Sequence, residues 1–293
     1  MYDILIFGGT RFVSRYLAER LIEKGNNVDI LTRGNISVPY NGMRNHLICD
    51  RKNKGVLNDI LKDKYYDFVF DICAYTQEDM KYALAAVEKE KLKKYIFCST
   101  ASVYLCDTEE IDENSTRVPL DFSETYGRNK RMAEDELINS GVPYAIVRPT
   151  YIYGEYNEIP REGYIFDCIL KDKVLYVPKV DNVKLTMIYV EELIEIFISA
   201  MDSLNKAGIY NGNNEEVLTI EELIECIEIA LGKKALIQYY DIEKDKPKKE
   251  FPYAPESLII KNDNLRKDGM YVPKIPYKMG IAKTYKWYTE TIK

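Results

Sequence analysis

Apolar and polar positions follow two rhythms along this chain. Residues 4–7 are a continuous apolar run that strikes Gly8-Gly9. A mixed stretch follows in which Leu17, Leu21 and Ile22 share one face at helical spacing. Gly25 closes it, and residues 28–31 are a second apolar run. Strand, glycine turn, amphipathic helix and strand make one βαβ unit. The alternation continues with strands predicted at 46–49, 67–73, 94–99 and 144–148, the last stopped by Pro149. Helices are predicted at 56–61, 80–88 and 126–140, the third carrying Met132, Ala133, Leu137 and Ile138 at helical spacing. Short apolar strands that alternate with helices predict an α/β fold, a doubly wound parallel sheet covered on both faces.

Beyond Gly154 the pattern loosens. It predicts a loop at 155–163, helices at 164–170 and 191–201, strands at 174–177 and 185–190, and a polar, proline-containing exposed loop at 244–257. Another helix, at 219–231, opens on Thr219 with Glu222 three residues later, the spacing of a capping box. This reads as a sheet domain, residues 1–155 and 185–212, and a smaller discontinuous C-terminal α/β lobe, residues 156–184 and 213–293. A ligand cleft between them is expected.

The glycine turn raises the question of a dinucleotide. A helix N-terminus after such a turn suits a pyrophosphate. The expected G-x-x-G-x-x-G spacing, however, falls on Gly8, Arg11 and Ser14. Two of three glycines are replaced, and an arginine at that place offers a phosphate charge-assisted, bidentate bonding instead of close backbone approach.

Composition narrows the class. No run approaches the roughly 20 apolar residues of a membrane helix. Met1-Tyr2-Asp3 leads straight into a strand pattern, without a basic leader, so a cytoplasmic protein is expected. The six cysteines form no C-x-x-C pair and read as buried thiols in a reducing compartment. His46 is the single histidine, which argues against most metal sites and against a Ser-His-Asp hydrolase. A net charge of −6 disfavours nucleic acid as a partner, and the short lysine runs at 89–94 and 244–249 are interleaved with acidic residues and read as solvated surface.

Chemistry concentrates at Tyr126-Gly127-Arg128-Asn129-Lys130. A phenol and an ammonium four residues apart at the start of a helix point to one side. A nearby ammonium stabilises the phenolate and lowers its pKa from the ordinary value of about 10. Such a pair can move a proton to or from a substrate hydroxyl while a nicotinamide exchanges hydride. The spacing alone is weak in a chain with 25 tyrosines, and Tyr240/Lys244 repeats it.

Taken in order, the motifs resemble the extended short-chain dehydrogenase/reductase family, the NAD(P)-dependent sugar epimerases and dehydratases. The resemblance rests on the opening βαβ unit, Asp50-Arg51, Ser99-Thr100-Ala101-Ser102-Val103-Tyr104, Tyr126-x-x-x-Lys130, Arg148-Pro149-Thr150-Tyr151-Ile152-Tyr153-Gly154, and a final Tyr285-Lys286-Trp287-Tyr288. The Gly8-Gly9-Thr10-Arg11-Phe12 variant is similar to the branch of chloroplast stem-loop RNA-binding proteins and their bacterial relatives, which also carries the arginine. The resemblance implies a Rossmann-like domain, a small-molecule substrate and a homodimer packed through two helices of the sheet domain. It implies that Thr100 holds the reacting oxygen, Tyr126 is the acid-base group and Lys130 its partner. Gly8, Thr10, Arg11, Phe12 and Val13 would cradle the cofactor, Asp50 and Arg51 its adenine end, and Ala74 and Pro149 its path. A strand-end cap stays open as a second reading of Thr100.

The end of the second strand, Thr32-Arg33, offers a hydroxyl and a guanidinium where an NAD site usually has a carboxylate, which favours NADP over NAD. An exposed Arg33 without a ligand is the other reading. On the substrate side the candidates are Ser102 and Tyr151, with Arg161 or Lys184 for a diphosphate. Sugar-nucleotide members usually place that arginine where this chain has Leu185, and Tyr189 stands for their histidine. The function expected is an oxidoreductase of the epimerase/dehydratase type acting on a sugar-like, nucleotide-sugar class of substrate. The alternative, motivated by Arg11, is a non-catalytic RNA-binding or cofactor-sensing protein on the same scaffold.

Overall fold

The computed structural model describes residues 1–291 apart from 107, 122, 124 and 246–250. The first half runs β1 (Asp3–Phe7), α1 (Phe12–Glu23), β2 (Asn27–Thr32), β3 (Asn45–Ile48), α2 (Lys54–Leu61), β4 (Phe68–Asp71), α3 (Gln77–Ala86), β5 (Lys94–Cys98), α4 (Tyr126–Asn139) and β6 (Tyr144–Pro149). The second half runs β7 (Tyr151–Tyr153), α5 (Glu162–Leu170), β8 (Val174–Pro178), β9 (Lys184–Tyr189), α6 (Val190–Asp202), β10 (Ala207–Gly212), β11 (Val217–Thr219), α7 (Ile220–Leu231), β12 (Leu236–Tyr240), α8 (Asp263–Lys267) and α9 (Tyr277–Thr291).

Seven strands make one parallel sheet ordered β10-β6-β5-β4-β1-β2-β3. Its period-2 alternation sorts side chains cleanly. Ile4 and Ile6 pack with Leu17 and Leu21 of α1 and Phe197 of α6, whereas Leu5 and Phe7 pack with Leu57 of α2, Met80 and Ala83 of α3 and Leu137 of α4. Both faces are covered, as the continuous apolar runs predict. Strand order reverses beside β1, so the carboxyl ends of β1 and β4 open a crevice at the switch point.

Several expected elements differ in placement. β6 continues through Pro149, which sits opposite Gly212 at the strand end; the ladder resumes at Thr150 N, which donates to Gly212 O. β10 carried no strand pattern, because two glycines and Asn211 dilute its apolar residues, yet it completes the sheet edge. β9, assigned by its sequence to the sheet domain, hydrogen-bonds instead to β7 and β11 in a separate three-stranded sheet, and β8 pairs with β12. α5 starts at Glu162, two residues earlier than expected. The loop expected at 244–257 is not exposed throughout: Phe251 and Tyr253 are buried and stack on one another, with Tyr253 also edge-on to Tyr151. Residues 246–250 of that loop and of the second lysine run lie outside the described residues. The capping box at Thr219 forms as its spacing predicts.

Candidate active site

The glycine turn joins β1 to α1. Gly8 and Gly9 both hold positive φ, +116° and +120°, and a Cβ on Gly9 would lie 2.7 Å from Cγ2 of Ile30, so the turn admits no side chain there. Tyr40 donates its hydroxyl to Gly9 O at 2.6 Å and fixes the turn from the β2–β3 connection. Ser14, in place of the third glycine, is buried and donates to Arg11 O at 2.8 Å. It therefore does not cap α1. Arg11 is the N-cap residue and supplies no side-chain cap either, so no capping side chain takes up the first N–H groups of α1, at Phe12 and Val13 beside Thr10. The Arg11 guanidinium reaches across the cleft to Glu158 at 2.8 Å, with both side chains more than half exposed. The loop that carries Glu158 also rests on α1 through Arg15, whose guanidinium lies 3.7 Å from the Tyr156 ring centre.

At the end of β2, Thr32 Oγ1 accepts from Gly34 N at 3.1 Å and lies 2.8 Å from His46 Nε2. Arg33 beside it is exposed. Asp50 is also exposed, and its carboxylate accepts from Lys52 N. Arg51, expected at the adenine end, is instead buried. It donates both terminal nitrogens to Asp71 at 2.8 and 2.7 Å and one to Asp79 O. A guanidinium so committed has no fork left for an adenine; it braces the end of β4. Burial works against the Asp71 charge, but Arg51 and the Tyr95 hydroxyl hold that carboxyl below the usual range. Asp71 in turn accepts from Ala74 N at 2.9 Å and so fixes the turn on which Ala74 lies.

The chemistry-bearing residues converge at the ends of β4, β5 and α4. Lys130 is 2% exposed, and its ammonium donates to Ala74 O at 2.8 Å and Cys98 O at 2.7 Å. Thr100, just beyond β5, caps the turn of residues 101–103 through Ser102 N and also lies 3.2 Å from the Ser102 hydroxyl. The same hydroxyl is close enough to the Tyr126 phenol to hold its pKa down. Capping and facing the phenol are thus one position, and the two readings of Thr100 do not compete. The Lys130 ammonium lies 6.0 Å from the Tyr126 ring centre and 5.1 Å from that of Tyr75, whose ring faces Tyr126 at 6.3 Å. Burial pushes the Tyr126 phenol above its ordinary pKa, with Thr100 and Arg161 pulling it down, and burial pushes the Lys130 ammonium below its own. The lowering of the phenol expected from Lys130 therefore does not prevail in this arrangement, because burial dominates.

Two features that position this cluster carried no signal as motifs. Gly127 lies against the Thr100 turn so closely that a Cβ there would be 1.9 Å from Ser102 O. Glu134, one turn beyond Lys130, is fully buried; it accepts from Ser99 Oγ at 2.5 Å, from Arg148 Nε and Nη2 at 2.9 and 2.6 Å, and from Arg117 at 3.2 Å. Arg148 continues to the Tyr104 hydroxyl and, through it, to Asn211 of β10. Glu134 was hidden in a polar stretch of α4 that reads as helix surface.

On the substrate side, Tyr151 and Arg161 come together, the guanidinium 5.0 Å from the ring centre, and the Arg161 charge acts on Tyr126. Ser102 is exposed at the same mouth. Lys184 is not brought to them: it begins β9, beside the N-terminus of α7, where it acts on Glu222. Leu185 is fully buried, and the Tyr189 hydroxyl donates to Glu155. Pro149 is buried at the end of β6, next to Thr150, whose buried hydroxyl has no partner among the described residues.

Glu162, first residue of α5, is buried and pushed up to about 7 by burial, against bonds from Gly154 N and Asn157 Nδ2. An unfolded glutamate titrates near 4.3. The folded state therefore holds this proton longer, and its contribution to stability is full below about 4.3 and lost as pH rises through about 7. Thermal or urea unfolding across this window should show wild type losing up to about 3 kcal/mol relative to Glu162→Gln. Parallel curves for the two proteins would refute the assignment.

A doubly wound sheet with a glycine turn at β1, an uncapped α1, and a threonine, tyrosine and lysine converging at its carboxyl edge defines a dinucleotide-dependent enzyme of the extended short-chain dehydrogenase/reductase type. The chain belongs to the NAD dependent epimerase/dehydratase family, whose model matches residues 4–211. It is 26% identical to chloroplast stem-loop binding protein of 41 kDa b of Arabidopsis thaliana over 96% of this chain and 78% of that protein. It is 22% identical to human dTDP-D-glucose 4,6-dehydratase over 98% and 90%. Among solved structures, UDP-glucose 4-epimerase of Thermotoga maritima superposes with a TM-score of 0.82 at 16% identity, covering 99% of each chain. The NAD complex of UDP-glucuronic acid 4-epimerase from Bacillus cereus gives 0.80 at 21%, also covering 99% of each. These confirm the fold. No helix among the described residues is long and apolar enough to cross a membrane.

Proposed function

We propose that this protein is an NADP-preferring oxidoreductase of the epimerase/dehydratase type that acts on a hydroxyl or carbonyl of a nucleotide sugar. The convergence of Thr100, Tyr126 and Lys130 at one mouth carries this reading. Thr100 and Tyr126 hold the reacting oxygen between two hydroxyls, and Tyr126 takes up or returns its proton. Lys130 is locked by Ala74 O and Cys98 O, its ammonium 6.0 Å from the Tyr126 ring centre. A nicotinamide, when bound, supplies the hydride chemistry. The residues present fit such a cofactor: α1 opens without a side-chain cap, the Arg11 guanidinium, paired with exposed Glu158, stands beside it, and the Thr150 hydroxyl is buried without a partner among the described residues at the end of β6. Gly8, Thr10, Arg11, Phe12 and Val13 would hold the pyrophosphate, Thr32 and Arg33 the adenosine ribose, and Lys130 the nicotinamide ribose.

Arg161, its guanidinium 5.0 Å from the Tyr151 ring centre and its charge acting on Tyr126, supplies positive charge for an anionic group of the substrate. The relatives and neighbours named for nucleotide sugars support that class. The same reading carries a homodimer packed through two helices of the sheet domain. Tyr126→Phe should lower turnover of a nucleotide sugar by about 10²- to 10⁴-fold, the usual contribution of a positioned acid-base group. An NADPH titration of the same variant separates a loss of cofactor binding from a loss of turnover. Unchanged turnover would refute the role of Tyr126.

Similarity to a stem-loop binding protein favours a second reading, RNA binding on this scaffold. Its signature would be salt-dependent RNA affinity indifferent to Tyr126→Phe. The net charge of −6 weighs against it.

A further inference from the structure

We propose that His46, the only histidine in the chain, is a positioning residue that sets cofactor choice by turning the Thr32 hydroxyl into an outward-facing donor. This rests on the reading of Thr32 and Arg33 as the adenosine-ribose end of a dinucleotide site.

A threonine hydroxyl has one proton and two lone pairs. Gly34 N–H, 3.1 Å away, fills one lone pair of Thr32 Oγ1. His46 Nε2 lies at 2.8 Å, close enough for a full hydrogen bond. An imidazole that presents Nε2–H there fills the second lone pair. The hydroxyl proton is then the only bonding capacity Thr32 has left, and Thr32 can only donate. A bare Nε2 would consume that proton and leave Thr32 nothing to give a phosphate. With Nε2 protonated, the side chain of an edge strand thus sets the polarity of a hydroxyl on its neighbour.

A donor-only hydroxyl discriminates between the two cofactors. The 2′-phosphate of NADP offers only acceptors and carries charge, and hydrogen bonds to charged acceptors are about twice as strong as neutral ones. The 2′-hydroxyl of NAD is normally held by a carboxylate that accepts from it, and this position has no carboxylate. Thr32 stands there, followed by the exposed guanidinium of Arg33. The acidic residue at the end of β3, Asp50, is turned to its own Lys52 N–H. His46 is half-buried in β3 and Thr32 half-buried at the end of β2.

The test is a fluorescence titration of the full chain with NADPH and, separately, NADH. His46→Leu should weaken NADPH about tenfold and leave NADH within twofold, so that NADH reports on folding. His46→Gln, whose amide can still donate, should restore most of the NADPH affinity. In a Thr32→Val background His46→Leu should have no further effect, because no hydroxyl remains to be oriented. An unchanged NADPH:NADH ratio in His46→Leu, or equal weakening of both, would overturn the role of His46 while the cofactor reading stands. Wild type that binds NADH more tightly than NADPH, or binds neither, would overturn both.

Discussion

Glu134→Ala is expected to destabilise the protein by about 3–5 kcal/mol, the range for removing one partner of a buried ion pair. The carboxylate is fully buried and Arg148 is 1% exposed. Its loss strands the Arg148 guanidinium in the core, together with Ser99 Oγ and one bond of Arg117. Deleting Arg148 as well should cost less than the sum, because the penalty is mainly that of an uncompensated charge. Urea unfolding reads the effect directly as a lower midpoint at constant slope. Turnover should fall even where the variant is folded. Glu134 ties α4 to Ser99, between Cys98, whose carbonyl holds Lys130, and Thr100, which faces Tyr126. A loss below about 1 kcal/mol would show that the pair is hydrated and not structural.

Gly127→Ala carries the second large effect, and its sign is diagnostic. Alanine is favoured over glycine in a helix by up to about 1 kcal/mol in the interior, so at Gly127, in the first turn of α4, propensity alone predicts a smaller stabilisation. A Cβ at this position would instead sit 1.9 Å from the Ser102 carbonyl oxygen, a backbone atom that no rotamer change can move. The helix must lift away from the Thr100 turn. Displacement of a catalytic group by about 1 Å can cost about a hundredfold in rate, so turnover should fall by that order and stability should drop with it. Gly55→Ala in α2 is the matched control: the nearest atom to its Cβ is Asn53 Oδ1 at 3.9 Å, and it should stabilise by about 0.5–1 kcal/mol. Equal behaviour of the two variants in melts and turnover would refute the contact.

Much of the architecture was legible because it rests on local periodicity. The apolar runs at β1, β2, β4, β5 and β6 and the helical faces of α1 and α4 are set by neighbours in the chain. The Thr219–Glu222 box is a four-residue device, and it forms as spelled. Elements at the margins were not legible. β10 becomes a strand because β6 offers it a free edge, and Phe251 and Tyr253 are buried because Tyr151 waits for them.

The candidate site divides along the same line. Tyr126 and Lys130 were named from spacing and order and Thr100 from the family resemblance, and the structure brings the three together. Tyr151 and Arg161 meet as well, whereas Lys184 lies elsewhere and Arg51 turns inward to Asp71. A guanidinium's destination depends on which carboxylate the sheet brings beside it, and Asp71 is 20 residues from Arg51. The glycine turn shows the limit most sharply. Its sequence alone determined that a strand must hand over to a helix there. Only the tertiary structure decided that Arg11 reaches Glu158 across the cleft, that Ser14 bonds backward and leaves α1 uncapped, and that His46 meets Thr32. Local conformation follows from the covalent neighbours of each residue, but the partner of a charge or a hydroxyl is chosen by whatever distant chain the fold delivers within 3 Å.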